Sequence, residues 1–338
     1  MREPPVPRGR RRSRAAVLLV PLYCLVLVVG LGEAIVRWSG RESRRVPDRV
    51  YQPFDADIPY VHEPNLRGAR GWNDTIFDTD ELGLRTVAGV APLTSPKLRG
   101  EYRVAMVGDS VTFGEGVAGA DVFSRLLDER FRAEAPPVRV CNFGVSGHSI
   151  RQMAAMVERR VERVEPDLVL VVLIPDDFDL SRTGTLDGWG SVQPYVSDGW
   201  SSTAKALLRR SHLAHFVHDL ATGPRPGWRP DAISDGARAA AYAQWMPRLR
   251  AACAGGTFEC GLVLFSTKID DGFGAVGARL ANEGWPVVDL TGLKDAFTRE
   301  AFDAGPYDPH PSAAVHRRIA DALAPVIRAR RAARAVSP

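Results

Sequence analysis

From Leu168 to Ile174 the chain reads Leu-Val-Leu-Val-Val-Leu-Ile, with no polar residue on either face of the strand this implies. A strand that is apolar on both faces must be covered on both, as happens in parallel sheets flanked by helices. A second run, Tyr102-Arg103-Val104-Ala105-Met106-Val107, stops abruptly at Gly108-Asp109-Ser110 and reads as another buried strand feeding a turn. Strand and helix patterns alternate around these two. Apolar residues at helical spacing (Phe123, Leu126, Leu127, Phe131) predict an amphipathic helix over 122–133, and a strand follows at 138–143. Ser149 can cap the next helix, which carries Ile150, Met153, Met156, Val157 and Val161. Helical patterns near 203–221 and 234–252 come next, then a strand at 261–265, a helix near 273–283, a short strand at 287–290 and a final helix near 312–333. This order predicts an α/β protein with a parallel sheet covered on both sides.

In such sheets ligands sit beyond the carboxyl ends of the strands, which is where Ser110 falls. A helix beginning just after Ser110 would leave its first N–H groups available to stabilise negative charge. Gly108 suits a tight exit from the strand, and Asp109 can hold the turn through its carboxylate. Gly-Asp-Ser by itself is equally an ordinary strand-to-loop turn.

The N-terminus carries a second strong signal. Arg8, Arg10, Arg11, Arg12 and Arg14 precede an uncharged apolar run over 15–32, extended by Ala34-Ile35-Val36 if Glu33 sits near the interface. Arg37 and Trp38 make an interfacial stop, and the basic flank predicts the N-terminus inside and the remainder outside. The run is long and no Ala-x-Ala site follows it, which favours an uncleaved anchor over a cleaved signal peptide. The expected organisation is a basic cytoplasmic arm over 1–14, a transmembrane anchor over 15–37, a linker and irregular cap over 38–100, and a catalytic-type domain over 101–333. This would make the protein a single-pass protein of the cell membrane, with its main domain extracytoplasmic.

The formal net charge of +4 on 338 residues does not mark a nucleic-acid protein: the cations are nearly all Arg, clustered at the termini and otherwise mixed with acids. Cys24 lies in the apolar run and Cys141 in a strand-like run. Cys253 and Cys260 flank a short loop and can pair in an oxidising compartment or remain two thiols. His212, His215 and His218 recur every three residues, with no cysteine beside them and no acid at matching spacing except Asp219. No metal is expected. No glycine-rich phosphate loop or nucleotide fingerprint occurs, and no cofactor is expected.

Four segments, taken in order, resemble the SGNH/GDSL hydrolase superfamily, specifically its bacterial membrane-anchored members. Gly108-Asp109-Ser110, continued by Thr112-Phe113-Gly114, is similar to the first block, and Asn142-Phe143-Gly144-Val145-Ser146-Gly147 to the second. Asp176-Asp177-Phe178 stands where the third block has Asn-Asp, and Asp308-Pro309-His310-Pro311, with Ser312 and His316 after it, resembles the last. Asp80-Glu81-Leu82-Gly83-Leu84-Arg85 also resembles the segment preceding the nucleophile strand in anchored members.

The resemblance implies a three-layer α/β/α, flavodoxin-like fold that hydrolyses or transfers acyl esters. It makes Ser110 the nucleophile, His310 the base and Asp308 its carboxylate partner, with Asp303 a second candidate. Ser110, Gly144 and the Asp176 position would form the oxyanion hole. Two departures stand out. Asp308 lies two residues before His310 rather than three, Tyr307 occupying the usual place. Asp176 replaces an amide donor, and an ionised carboxylate cannot donate and would repel a developing oxyanion. Either Asp176 is protonated, or another group donates, or the activity is changed. The implied function is a membrane-tethered extracytoplasmic serine esterase acting on an acyl ester of a cell-surface polysaccharide. An O-acyltransferase using the same Ser110 and His310, or a non-catalytic binding protein on a degenerate fold, are the alternatives.

Overall fold

The computed structural model describes residues 14–39, 50–71, 75–90, 97–180, 184–186, 192–193, 211–214, 216–217, 234–268, 272–305 and 308–336. The basic arm at 1–13, the linker at 40–49, most of the helical pattern at 203–221, and His215 and His218 lie outside the described residues. The chain divides into two compact units, Met1–Val46 with Thr203–Gly223, and Pro47–Ser202 with Pro224–Pro338.

In the first unit, helix α1 spans Arg14–Trp38. Its segment Leu19–Trp38 has a mean hydropathy of 2.3 and is long and apolar enough to cross a membrane. Leu19, Tyr23, Val28 and Leu31 are exposed rather than packed on protein. The one acid within the helix is not left to itself. The Glu33 carboxylate accepts from the N–H groups of His212 and Leu213 and from the Ser211 hydroxyl, and pairs with Arg37 at 2.8 Å.

In the second unit the sequence first forms short strands: β1 (Tyr51–Pro53), β2 (Tyr60–His62), β3 (Ala69–Arg70), β4 (Ile76–Thr79) and β5 (Arg85–Thr86). β1 pairs with β2, and β3-β4-β5 form a small antiparallel sheet. The regular part then runs β6 (Tyr102–Gly108), α2 (Ser110–Phe113), α3 (Phe123–Arg132), β7 (Val138–Gly144), α4 (Ile150–Arg159) and β8 (Leu168–Leu173). After a two-residue pair β9 (Thr185–Leu186) and β10 (Val192–Gln193) come α5 (Asp235–Gly255), β11 (Glu259–Leu264), α6 (Ala275–Asn282) and β12 (Val287–Asp289). The chain closes with α7 (Arg299–Phe302), a hairpin of β13 (Asp303–Gly305) and β14 (Asp308–Pro311), and α8 (Ala313–Val336).

The main sheet has the order β12-β11-β8-β6-β7, parallel throughout. Side chains alternate between its two cores. Ala105, Val107, Val169 and Val171 pack with α4, α5 and α6, whereas Val104, Met106, Leu168 and Leu170 pack with α3 and α8. The result is the three-layer α/β/α arrangement that an all-apolar strand requires. In this order the chain leaves β6 in one direction to make β7 and returns to the other side for β8. The crevice at that switch point, outside the strand ends, is where such sheets place ligands. His310 precedes the last helix, on β14, rather than opening it.

The Ser149 hydroxyl and N–H both contact Gln152 Oε1, closing the start of α4. Cys141 is buried, and burial pushes its thiol up to about 12. Cys253, near the end of α5, and Cys260, in β11, form a disulfide with a Cα–Cα distance of 5.7 Å. Non-reducing peptide mapping of the extracytoplasmically produced protein should find a single cross-linked peptide. A loop this short implies about 2–3 kcal/mol of stabilisation, so Cys253→Ser should lower the melting temperature. Alkylation of both thiols without reduction would show the pair to be open.

Candidate active site

Ser110 stands at the first position of α2, directly beyond β6. The turn is held as its composition suggests: Val111 N–H donates to Asp109 Oδ1 at 2.9 Å, capping the short helix. Ser110 Oγ lies 3.0 Å from His310 Nε2 and 3.3 Å from Asp109 Oδ2. On its far side His310 Nδ1 is 2.6 Å from Asp308 Oδ1, and the same oxygen accepts the His310 N–H at 3.1 Å. The two-residue spacing is therefore sufficient, because the hairpin puts Asp308 behind the His310 ring and leaves Nε2 facing Ser110. Asp303 faces elsewhere, paired with Arg299 at 3.2 Å.

The electrostatics suit a base at position 310. Burial disfavours the imidazolium, but the Asp308 hydrogen bond and the charges of Asp308, Glu115 and Asp109 outweigh it and raise the His310 pKa above 6.5. Burial pushes Asp109 up to about 6, against hydrogen bonds from Val111 and Ser110 and with Asp176 adding to the rise. His316 is buried and stacked on Phe123, with Nδ1 accepting the Phe123 N–H, and burial holds it down to about 3. It is part of the core rather than of the site.

Of the residues expected in an oxyanion hole, Ser110 lies at the start of α2. Among the described residues its N–H has no hydrogen-bond acceptor, while the carbonyls of Asp109 and Ser110 accept from Phe113 and Gly114 further along. Gly144 is a correction. Its N–H donates to Asn142 Oδ1 at 2.9 Å, and a Cβ there would lie 2.2 Å from Phe113 N, so the residue is packed under α2 rather than facing the crevice. Three residues later, in the turn leaving β7, the Gly147 N–H has no hydrogen-bond acceptor among the described residues. Asp176 sits in the one-turn helix Pro175–Phe178 beyond β8, next to the strand that delivers Ser110. Asp177 is turned inward, its carboxylate accepting the Ile174 N–H at 2.7 Å.

Several neighbours of the site have no signal in the blocks themselves. Arg85, buried, donates to the carbonyls of Phe113, Gly114 and Val117 and lies over the Phe113 ring at 4.7 Å. It fastens the end of α2, and it closes the Asp80–Arg85 segment. Glu115 is buried, accepts from Ser146 Oγ at 2.6 Å, and has its pKa raised by burial. Gly116, at φ +79°, leaves no room for a side chain: a Cβ would lie 2.5 Å from Asp308 Oδ2. A separate cavity of about 330 Å³, lined by Arg67, Asp78, Arg125, Asp128 and Arg139 among others, includes none of Ser110, His310 and Asp308. Among the described residues no group of His, Cys, Asp and Glu could hold a metal.

Fold and site together define a three-layer α/β/α protein with a Ser–His–Asp array at the switch point of a parallel sheet. No protein-family model matches the chain, and no curated protein matches it significantly. Solved structures similar to it include a lipase/acylhydrolase from Enterococcus faecalis, at 15% identity over 68% of this chain and 96% of that one, TM-score 0.39. A catalytic mutant of an acetylxylan esterase from Geobacillus stearothermophilus is similar at 17% identity, 67% of this chain and 94% of that one, TM-score 0.39. An alpha/beta hydrolase enzyme from the metagenome of Lake Arreo is similar at 20% identity, 67% and 94%, TM-score 0.39. Likenesses this distant say nothing about substrate, and the chemistry rests on this chain's own residues.

Proposed function

We propose that this chain is an ester hydrolase of the SGNH/GDSL type, tethered to the membrane by α1, with Ser110 as nucleophile. The observation that carries this reading is the continuous array Ser110 Oγ–His310 Nε2, 3.0 Å, and His310 Nδ1–Asp308 Oδ1, 2.6 Å. A serine hydroxyl is a weak nucleophile until a base takes its proton, and the base must be held in one tautomer and orientation. Asp308 holds the Nδ1 proton, so Nε2 is the bare nitrogen facing Ser110. Ser110 Oγ attacks the ester carbonyl as its proton moves to Nε2. The oxyanion that forms is met by the N–H groups of Ser110 and Gly147. Collapse of the intermediate expels the alcohol, which takes the proton from Nε2, and leaves an acyl-serine. Water, deprotonated by the same nitrogen, then releases the acid and restores Ser110.

A tether with its basic flank inside would put this chemistry at the outer face of the membrane, where an acylated surface polysaccharide is the substrate class it would meet. Replacement of water by a sugar hydroxyl in the second half-reaction would give a transferase. Acetate release measured with and without added glycan separates the two. The array itself speaks against a purely binding role. Labelling of the full-length protein with a fluorophosphonate should modify Ser110 alone, and a protein that does not react would end the hydrolase reading.

A further inference from the structure

The turn that follows β7 is gripped from outside the sheet by one residue. Tyr60, on β2, is 1% exposed, and its hydroxyl donates to the Ser146 carbonyl at 3.0 Å. The Tyr60 carbonyl in turn is 3.0 Å from His148 Nε2, and the two rings meet edge to face at 5.2 Å. Burial lowers the His148 pKa to about 4, outweighing the bond to the Tyr60 carbonyl, so the ring is neutral and donates through Nε2. Between these fastenings lies the 146–147 peptide. In a trans peptide the C=O and N–H point in opposite directions. The bond from Tyr60 to the Ser146 carbonyl therefore also fixes the direction of the Gly147 N–H.

Two further contacts make the grip specific. Gly147 has φ +79°, and a Cβ on it would lie 2.8 Å from the Tyr60 hydroxyl, so the hydroxyl rests against the glycine itself. Ser146 Oγ donates to Glu115 Oε1 at 2.6 Å, and Glu115 N–H donates to the Ser110 carbonyl at 3.0 Å. The peptide is thus tied on one side to the segment that precedes the sheet and on the other to the nucleophile's own loop.

We infer that Tyr60 is a positioning residue for the reaction: its hydroxyl, with Glu115 holding Ser146, aims the Gly147 N–H at the oxyanion. The inference rests on the ester-hydrolase reading and assigns to the 50–90 segment a part in transition-state stabilisation. An interaction made only with the transition state lowers kcat when lost and leaves KM alone. In full-length protein in detergent micelles, assayed with p-nitrophenyl acetate, Tyr60→Phe should lower kcat by about 10- to 100-fold with KM changed by less than about twofold. The acid limb of its pH profile should stay where the wild-type limb lies, because His310 and Asp308 are untouched. Wild-type kcat in a folded Tyr60→Phe protein overturns the inference, as does a loss confined to KM or a displaced acid limb. Should Tyr60→Phe fail to fold, Ser146→Ala, which removes the hydroxyl's contacts to Glu115 and Tyr51 and leaves the Tyr60 bond to the carbonyl, must show a several-fold fall in kcat at unchanged KM. Wild-type kcat in Ser146→Ala then overturns it. A wild-type protein that neither hydrolyses the ester nor takes up fluorophosphonate at Ser110 sinks the parent reading, a result distinct from all of these.

Discussion

Ser110→Ala and His310→Ala should each abolish turnover of an activated ester, by about four to six orders of magnitude in kcat, while leaving the fold intact. Neither side chain holds the core. Ser110 Oγ contacts His310 and Asp109, and His310 is tied to Asp308 and Ser110, all at the strand ends. Because the two act as one unit, the double variant should be hardly slower than either single one. Near wild-type activity in either would overturn the assignment. The pH dependence follows from the same geometry. His310 works as a base only when neutral, and its pKa is raised above 6.5 by Asp308, Glu115 and Asp109 against the effect of burial. Activity should therefore fall as pH drops through that raised value, with the acid limb above pH 6.5. Asp308→Ala removes the largest of the raising influences and should move the limb to lower pH; a limb that stays in place would detach His310 from the profile.

The second large effect is expected at Asp176. In the mechanism proposed above its carboxylate takes the place of an amide donor to the oxyanion, and it lies close enough to Ser110's neighbour Asp109 to help raise that residue's pKa. A missing donor of this kind costs about 3–4 kcal/mol, or roughly a hundred- to a thousand-fold in rate. The hydrolysis proposed above instead leans on the backbone donors of Ser110 and Gly147. Asp176→Asn adds a permanent third donor and removes a repelling charge, so kcat should rise, by up to about a hundredfold, with the acid limb unmoved. A folded Asp176→Asn protein that is inactive would mean that the carboxylate has a positive task, such as holding the substrate's alcohol side.

Much of the architecture is legible in local pattern. The all-apolar stretch at Leu168–Leu173 could only be a strand buried on both faces, and the amphipathic helix at Phe123–Arg132 follows from its spacing. The placement of Ser110 at a strand's carboxyl end is likewise local, as is the apolar character of α1. These features depend on residues within a turn or two of one another, where backbone geometry and burial periodicity suffice. Helix α8 begins only after His310, since Pro309 and Pro311 lack the N–H groups a helix would use, and the segment lies extended beside β13.

What the tertiary structure decided are the contacts between residues far apart in the chain. Ser110 and His310 are separated by 200 positions, and Tyr60 and Ser146 by 86. Nothing in the local sequence tells the surroundings of Gly144 from those of Gly147; the difference comes from Asn142 accepting the first N–H and Phe113 packing against that glycine. The choice of Asp308 over Asp303 is of the same kind, made by the hairpin that turns one carboxylate to His310 and the other to Arg299. Residue type and periodicity specify which face a segment buries, but the direction of a single N–H or carboxylate is set by partners that only the packed chain brings within hydrogen-bond distance.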